Sequence, residues 1–304
     1  MKKILVVGSI NMDLVTICER APKGGETLFG KEFLQIPGGK GANQAVAIGK
    51  LNGNVCMLGK VGSDSLGDTL LGSLKNNNVN IKHVEKVEGS SGIAKIIVEE
   101  NGENRILVVP GANGKVDINF IERNIEIIEN SDYIIAQLEI PVETVEFLFK
   151  KAKSLNKTTI LNPAPGRILS REIIEYSDFI IPNESELELL TGLKTDSEDN
   201  IKKAGKVLLE LGVKGLLVTM GSKGSLYMTK SESKFYPAYK VKALDTTAAG
   251  DSFIGGFATG LSKGLQIKDA INLGTKVAAI SVTRRGAQTS LPTLDEVIAF
   301  KGEK

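Results

Sequence analysis

Residues 243–264 read ALDTTAAGDSFIGGFATGLSKG. Asp245-Thr246-Thr247 leads into Ala248-Ala249-Gly250-Asp251, and an apolar, Gly/Ala-rich helical pattern follows at once. Small residues at 248 to 250 let a ligand come close to the backbone. The first helical turn behind them offers unpaired N–H groups and the positive end of the helix dipole, a combination that favours a phosphate. Asp251 falls in that same turn. A carboxylate there ordinarily does no more than stabilise the helix. Beside an anion cradle it also suits phosphoryl transfer, with the amides holding developing negative charge while the acid takes a proton from an attacking hydroxyl.

Around this stretch the chain has 304 residues, enough for one large α/β domain with a substantial core. A formal net charge of +2 gives no polyanion-binding surface, so no nucleic-acid partner is expected. The 33 glycines fit many tight turns and close backbone approaches. Cys18 and Cys56 are too few for a disulfide framework and match no metal spacing, so they read as buried thiols in a reducing compartment. His83 lies among polar residues without an evident partner. Lys2-Lys3 precedes Ile4–Val7, but that apolar run is far too short for a secretory signal, and nowhere do about 18 apolar residues run together. A cytoplasmic protein without a membrane span is expected.

Ile4–Val7 is a strand-length apolar run bounded by Gly8, the pattern of a central parallel strand buried on both faces. The segment after it, Gly8-Ser9-Ile10-Asn11-Met12-Asp13, is not a dinucleotide fingerprint, and Asn11 and Asp13 read as turn residues. Residues 14–36 and 91–110 alternate between apolar and polar, the second pair of runs meeting at an Asn101-Gly102 turn. They predict a small, one-faced sheet inserted into the α/β domain, with an apolar face that needs a cover. Pro37–Gln44 opens a helix over Ala42–Leu51, but no Gly-Lys pair is followed by Ser or Thr, so no Walker loop is present. Val55–Val61, Leu66–Asn76, Phe120–Ile128, Tyr133–Gln137, Val142–Leu155 and Thr158–Leu161 then alternate strand and helix. The pattern continues with helix Asn200–Leu211, strand Gly215–Thr219, helix Ile267–Val282 and a terminal helix over Thr293–Phe300. Such alternation predicts an α/β fold, a mostly parallel central sheet in three layers with helices on both faces. Functional side chains then gather beyond the carboxyl ends of strands, where Gln137-Leu138-Glu139, Asn162-Pro163 and Asn183-Glu184-Ser185-Glu186 fall.

GGKGANQA at 38–45, LNPAPG at 161–166, NESE at 183–186 and DTTAAGD at 245–251 occur in the order found in the ribokinase family of sugar kinases, which the whole chain resembles. Ser252 and Ile254 depart from residues common in that family. The resemblance implies ATP-dependent phosphorylation of D-ribose at O5. Asp251 is then the general base, with Ala248, Ala249 and Gly250 as the anion hole. Asn11, Asp13, Gly39, Lys40, Gly41, Asn43 and Glu139 would hold the sugar. Asn183, Glu186, Thr219, Gly221, Ser222, Gly224, Gly250 and Thr275 would line the ATP side, with Mg²⁺ bridging the phosphates. Asp245 and Thr247, facing Ser281, Arg284, Gly286 and Ser290, would wrap an activating K⁺, several of them through carbonyls alone. Taken alone, Asp245 reads as an ordinary cap at the start of the helix. The resemblance further implies that the small sheet is a lid over the sugar and that a homodimer forms through it. Kinases of deoxyribose, fructose or a nucleoside, and a sugar sensor without catalysis, are the alternative readings.

Overall fold

The run Ile4-Leu5-Val6-Val7 forms strand β1 (Ile4–Val7), with all four side chains shut off from solvent. In the structure, a computed structural model describing residues 1–304, β1 lies inside a nine-stranded sheet. The other strands, in chain order, are β2 (Asn11–Cys18), β3 (Glu32–Gly38), β4 (Val55–Gly62), β5 (Asn80–Val87), β6 (Gly92–Glu99), β7 (Asn104–Val109) and β8 (Tyr133–Ala136). They continue with β9 (Thr158–Leu161), β10 (Phe179–Ile180), β11 (Gly215–Thr219), β12 (Gly224–Met228) and β13 (Ser233–Pro237). The large sheet has the order β13-β12-β11-β10-β9-β8-β1-β4-β5 and is parallel except where β12 pairs with its two neighbours.

The helices are α1 (Lys40–Lys50), α2 (Ser65–Asn76), α3 (Ile118–Arg123), α4 (Ile125–Glu129), α5 (Val142–Ser154) and α6 (Arg171–Glu175). After them come α7 (Glu184–Thr191), α8 (Glu198–Glu210), α9 (Ala249–Ser262), α10 (Ile267–Ser281) and α11 (Leu294–Ala299). Successive strand residues point to opposite faces. Leu5 and Val7 join a core of 32 buried residues that includes Ile121, Val145, Ile173 and Ile201, from the helices on one side. Ile4 and Val6 join a second core of 30, with Ala45, Leu70, Phe257 and Ile271 from α1, α2, α9 and α10. The two cores are nearly equal, so both faces are covered. Strands in such a sheet are therefore continuous apolar runs. The three-layer expectation holds.

Three features differ from the sequence reading. Asn80–Val87 is an edge strand of the large sheet, which its mixed sequence NIKHVEKV did not announce. Phe120–Ile128 breaks at Asn124, whose side-chain amide donates to the Phe120 carbonyl at 2.9 Å and splits the stretch into α3 and α4. The second sheet, ordered β3-β2-β6-β7, begins at Asn11 instead of residue 14. Asn11 and Asp13 therefore sit on its first strand and not in a free turn. The β6–β7 hairpin turns at Asn101-Gly102 as expected, with Gly102 at φ 88°. Phe33, Ile106, Leu107 and Val108 remain exposed on this small sheet. No helix is long and apolar enough to cross a membrane.

Candidate active site

The order of the large sheet reverses between β1 and β8: the chain moves from β1 out to β4 and β5, then returns to fill β8 to β11 on the other side. Crevices beyond the carboxyl ends of strands at such a switch point are where open α/β sheets bind ligands. Ser9 and Asn11 follow β1, Glu139 follows β8, Asn162 follows β9, Asn183 follows β10 and Thr219 ends β11. A parallel bridge between Asn183 and Thr219 ties the last two together. The helix bearing Asp251 reaches the same end because small residues let it approach α1: a Cβ added at Gly255 would lie 2.4 Å from the Ala47 Cβ.

A cavity of about 620 Å³ opens at this end. Asn183, Glu186, Thr219, Gly221, Ser222, Gly224, Gly250 and Thr275 all line it, with Lys40, Ala248, Ala249 and Asp251 at its inner end. Every residue expected on the ATP side is thus brought to one surface. Ile254 also lines the cavity and is buried in the apolar core beside it. Asn183 and Glu186 have a structural duty as well: they form a reciprocal capping box at the start of α7, Glu186 N–H to Asn183 Oδ1 at 2.8 Å and Asn183 N–H to Glu186 Oε2 at 2.9 Å.

α9 starts on Ala248, held in the left-handed region at φ 59°, with no side-chain cap. The Ala249 N–H is occupied by the Thr246 carbonyl at 3.1 Å, which corrects the expectation of three free amides at 248–250. The N–H groups of Ala248, Gly250 and Asp251 make no hydrogen bond within the protein. They are the donors available to an anion.

Beyond Asp251 lies a polar cluster. Glu139 Oε2 accepts from Ser9 Oγ at 2.5 Å, the Lys40 N–H at 3.1 Å and Asn11 Nδ2 at 3.5 Å. Asp13 stands on β2 opposite Ile36, and its carboxylate reaches over Gly38, where a Cβ would lie 2.4 Å from it. Gly39, at φ 88°, could carry no side chain either: a Cβ would lie 2.7 Å from the Asn11 amide nitrogen. Burial, together with Glu139 and Asp251, pushes the Asp13 carboxyl up to about 7. Burial also raises the Asp251 carboxyl, against the opposing pull of Lys40, Asn43 and Gln44. Burial works against the Lys40 ammonium, but Asp251, Glu139, Glu186 and Asp13 together hold its pKa above the ordinary value. Asn43 Nδ2 donates to Asp251 Oδ2 at 3.0 Å, while Asn43 Oδ1 is buried with no partner. The Gly41 N–H is taken by Ser9 Oγ at 3.2 Å and so is not free for a ligand.

Sequence reasoning passed over three contributors. Ser9 bridges Glu139 and the start of α1. Asn113 fixes Asn11 by donating to its Oδ1 at 2.6 Å and accepting the Ile10 N–H at 2.9 Å. Gln44 donates to Asp251 Oδ1 at 2.9 Å. Ser9 and Gln44 lay inside stretches already singled out, whereas nothing in the sequence marked Asn113.

The residues expected around a monovalent cation also meet. Asp245 accepts the Thr247 N–H through Oδ1 and the Gly286 N–H through Oδ2, both at 2.8 Å. Ser281 and Ser290 hydroxyls are 2.8 Å apart, and Arg284 turns its guanidinium away to Glu296 at 2.7 Å. Burial would raise the Asp245 carboxyl, but hydrogen bonds from Thr247 and Gly286 and the nearby Arg285 bring it below the usual range. An ionised carboxylate with hydroxyls and carbonyls is a donor set that fits a hard cation.

The sequence profile of the pfkB family carbohydrate kinases matches residues 1–294. The ribokinase of Schizosaccharomyces pombe is 43% identical over 309 residues, covering 98% of this chain and 97% of that protein. The deoxyribokinase of Salmonella typhi is 41% identical over 295 residues, covering 96% of each. The solved structure of Arabidopsis thaliana ribokinase complexed with ribose and ATP matches with a TM-score of 0.94 at 31% identity, covering 98% of each chain.

Proposed function

This chain belongs to the pfkB family of carbohydrate kinases, and we propose that it transfers the γ-phosphoryl group of ATP to the 5-hydroxyl of D-ribose. The observation that carries this reading is the placement of Asp251. Its carboxylate stands between a polar cluster on one side and a nucleotide-sized cavity with free helix-terminal amides on the other.

The sugar lies among Asn11, Asp13, Gly39, Lys40, Asn43 and Glu139. Paired carboxylates suit vicinal hydroxyls, and the orphaned Asn43 Oδ1 is an acceptor for one more. Asp251 takes the proton of the primary hydroxyl as its oxygen attacks the γ-phosphorus and the bond to the bridging oxygen of ADP breaks. Lys40 and the amides of Ala248, Gly250 and Asp251 hold the negative charge on the transferring group. Asn183, Thr219, Gly221, Ser222, Gly224 and Thr275 line the rest of the nucleotide's path.

Glu186 would be the acid that holds Mg²⁺, its Oε2 already accepting the Asn183 N–H. One carboxylate is a normal protein contribution to a nucleotide-bound Mg²⁺, which would neutralise phosphate charge when present. K⁺ would sit among Asp245, Thr247, Ser281, Gly286 and Ser290, with Arg284 giving only its carbonyl. It would steady the turn before α9 from behind. The exposed apolar residues of the small sheet make it the surface for a homodimer, and the two free, buried cysteines suit a reducing cytoplasm.

ADP release, coupled to a chromogenic readout and measured with and without D-ribose, tests the reading. Ribose-dependent ADP formation is expected, and its absence would leave a sugar-binding sensor. The 41% identity to a deoxyribokinase makes deoxyribose the second sugar to assay, beside fructose and a nucleoside. A preference for any of these over ribose would move the substrate while keeping the chemistry.

A further inference from the structure

Behind Asp251 lies a chain of buried amides that binding and proton transfer, as described so far, leave unused. Gln44 has no exposed surface. Its Nε2 donates to Asp251 Oδ1 at 2.9 Å and to Asn162 Oδ1 at 3.1 Å, and its Oε1 accepts from Gln137 Nε2 at 2.6 Å. The direction of this chain follows from its ends. Asn162 Nδ2 donates to the Ile181 carbonyl at 3.3 Å, and a carbonyl only accepts, so Asn162 must turn its oxygen toward Gln44. An ionised Asp251 also only accepts. Two acceptors therefore converge on one nitrogen of Gln44, and its oxygen must face Gln137. Gln137 in turn leaves its own Oε1 buried with no partner, against the Gly8 backbone where a Cβ would lie 2.0 Å away. A buried orphan acceptor is unfavourable. The arrangement accepts that penalty in keeping Gln137 turned as a donor to Gln44.

We propose that Gln44 is the positioning residue of the catalytic base: it fixes the plane of the Asp251 carboxylate toward the sugar hydroxyl and favours its ionised form, with Gln137 and Asn162 setting the direction in which it donates. The inference rests on reading Asp251 as the base. The carboxylate is held at both oxygens by neighbouring residues of one helix, Asn43 at Oδ2 and Gln44 at Oδ1. Asn43 also has a free acceptor for substrate, whereas every atom of the Gln44 amide is committed to protein. The charged groups acting on the base are Lys40 from α1, Glu139 from the loop after β8, Asp13 from β2 and Glu186 from α7. Lys40 and the two amides favour the carboxylate; burial and the three acids oppose it. Loss of one amide donor should therefore shift proton uptake by Asp251 to higher pH.

The test is the pH profile of kcat at saturating ribose and ATP for wild type, Gln44→Glu, Gln44→Met and Gln137→Met. Gln44→Glu keeps the shape but replaces the donor with an acid. Its acid limb should move up by roughly one pH unit or more, with kcat about 10- to 100-fold lower near neutrality and partly recovered as the pH rises. Gln44→Met should lie in the same direction, and Gln137→Met should show a smaller shift. Ribose binding by calorimetry should change less than about threefold, a split between binding and turnover that a purely structural amide would not produce. Acid limbs that coincide with wild type in both Gln44 variants, or a raised ribose dissociation constant with unchanged kcat, would overturn the role of Gln44. If either Gln44 variant fails to fold, Gln137→Met still decides: an unshifted limb there counts against the chain of amides. Asp251→Asn assayed in parallel separates the two ideas. Near-normal turnover in that variant would remove the base, and this inference with it, whereas an inactive Asp251→Asn beside unshifted Gln44 variants would remove only the inference.

Discussion

The N-termini of α1 and α9 both begin on a residue with positive φ, Gly39 at 88° and Ala248 at 59°, and neither is capped by its own side chain. Their first-turn amides meet different fates. At α1 the Lys40 N–H goes to Glu139, the Gly41 N–H to Ser9 Oγ and the Ala42 N–H to the Ser9 carbonyl. At α9 only the Ala249 N–H is taken, by the Thr246 carbonyl, while the Gly250 and Asp251 N–H groups have no acceptor within the protein and both residues line the cavity. An uncapped helix start is thus not in itself an anion site. What decides is whether the tertiary structure brings an acceptor to it, and here one terminus is filled by the protein's own carboxylate and hydroxyl while the other is left partly open beside the cavity. Keeping Ala248 in the left-handed region costs about 1–2 kcal/mol that a glycine would avoid, a strain tolerated where the chain must turn beside the cavity.

The largest effect that would break this contrast is at the acid beside the open terminus. Asp251→Asn is nearly isosteric and leaves the helix start in place, yet it cannot take a proton. Turnover should fall by about 10²–10⁴-fold while ribose still binds, read by ADP release and by calorimetry. Activity within a few-fold of wild type would end the assignment.

One substitution made at both termini sharpens the comparison next. A Cβ at Gly250 meets nothing within 4 Å, whereas at Gly41 it would lie 2.7 Å from the Ser9 nitrogen and 2.8 Å from the Gly8 carbonyl carbon. Gly250→Ala should therefore fold as well as wild type but crowd the phosphate, lowering kcat/KM for ATP by about 10- to 100-fold. Gly41→Ala should lose about 1–3 kcal/mol of stability, since backbone has to move to admit the methyl group. Thermal melts beside ATP kinetics distinguish them, and similar stability losses in both would contradict the filled-versus-open contrast.

Support for the open terminus from behind gives a third, smaller effect. At constant ionic strength, K⁺ should raise turnover or substrate affinity several-fold over Na⁺ or a bulky organic cation, an order of magnitude at most for ordering one turn. Equal rates in all three would leave Asp245 as a clamp between Thr247 and Gly286 and nothing more.

The smallest effect concerns the acids near the filled terminus. The Asp13 carboxyl is pushed up to about 7, above its unfolded value, so its ionisation weakens the ligand-free fold. The stability it contributes in the protonated form is full below its unfolded pKa and lost as the pH rises through about 7. Asp13→Asn should consequently raise the Tm without ribose, by a few degrees or on the order of 1–3 kcal/mol at pH 8, and by less at pH 5. The same change should raise the ribose KM about tenfold. A Tm difference independent of pH would show that Asp13 is not held in this way.

Much of the fold was already legible in the chain itself. Ile4–Val7, Thr158–Leu161 and Gly215–Thr219 appear as strands to the residue, because burial on both faces leaves a local mark that needs no knowledge of neighbours. The uncapped helix start at 248–251 was equally visible, since small residues before a helix are a contiguous signal, but that the Ala249 N–H is already taken was not. The edge strand Asn80–Val87 carried no such mark: half exposed and rich in charge, it becomes a strand only because β4 lies beside it. The same limit applies to the site. Glu139 reaches the Lys40 amide across 99 residues, Asn113 reaches Asn11 across 102, and Gln44 reaches Asp251 across 207. Periodicity and composition record which face of an element is buried. Which donor meets which acceptor depends on the order of strands in the sheet and on how closely α1 and α9 approach, and those are properties of the assembled core alone.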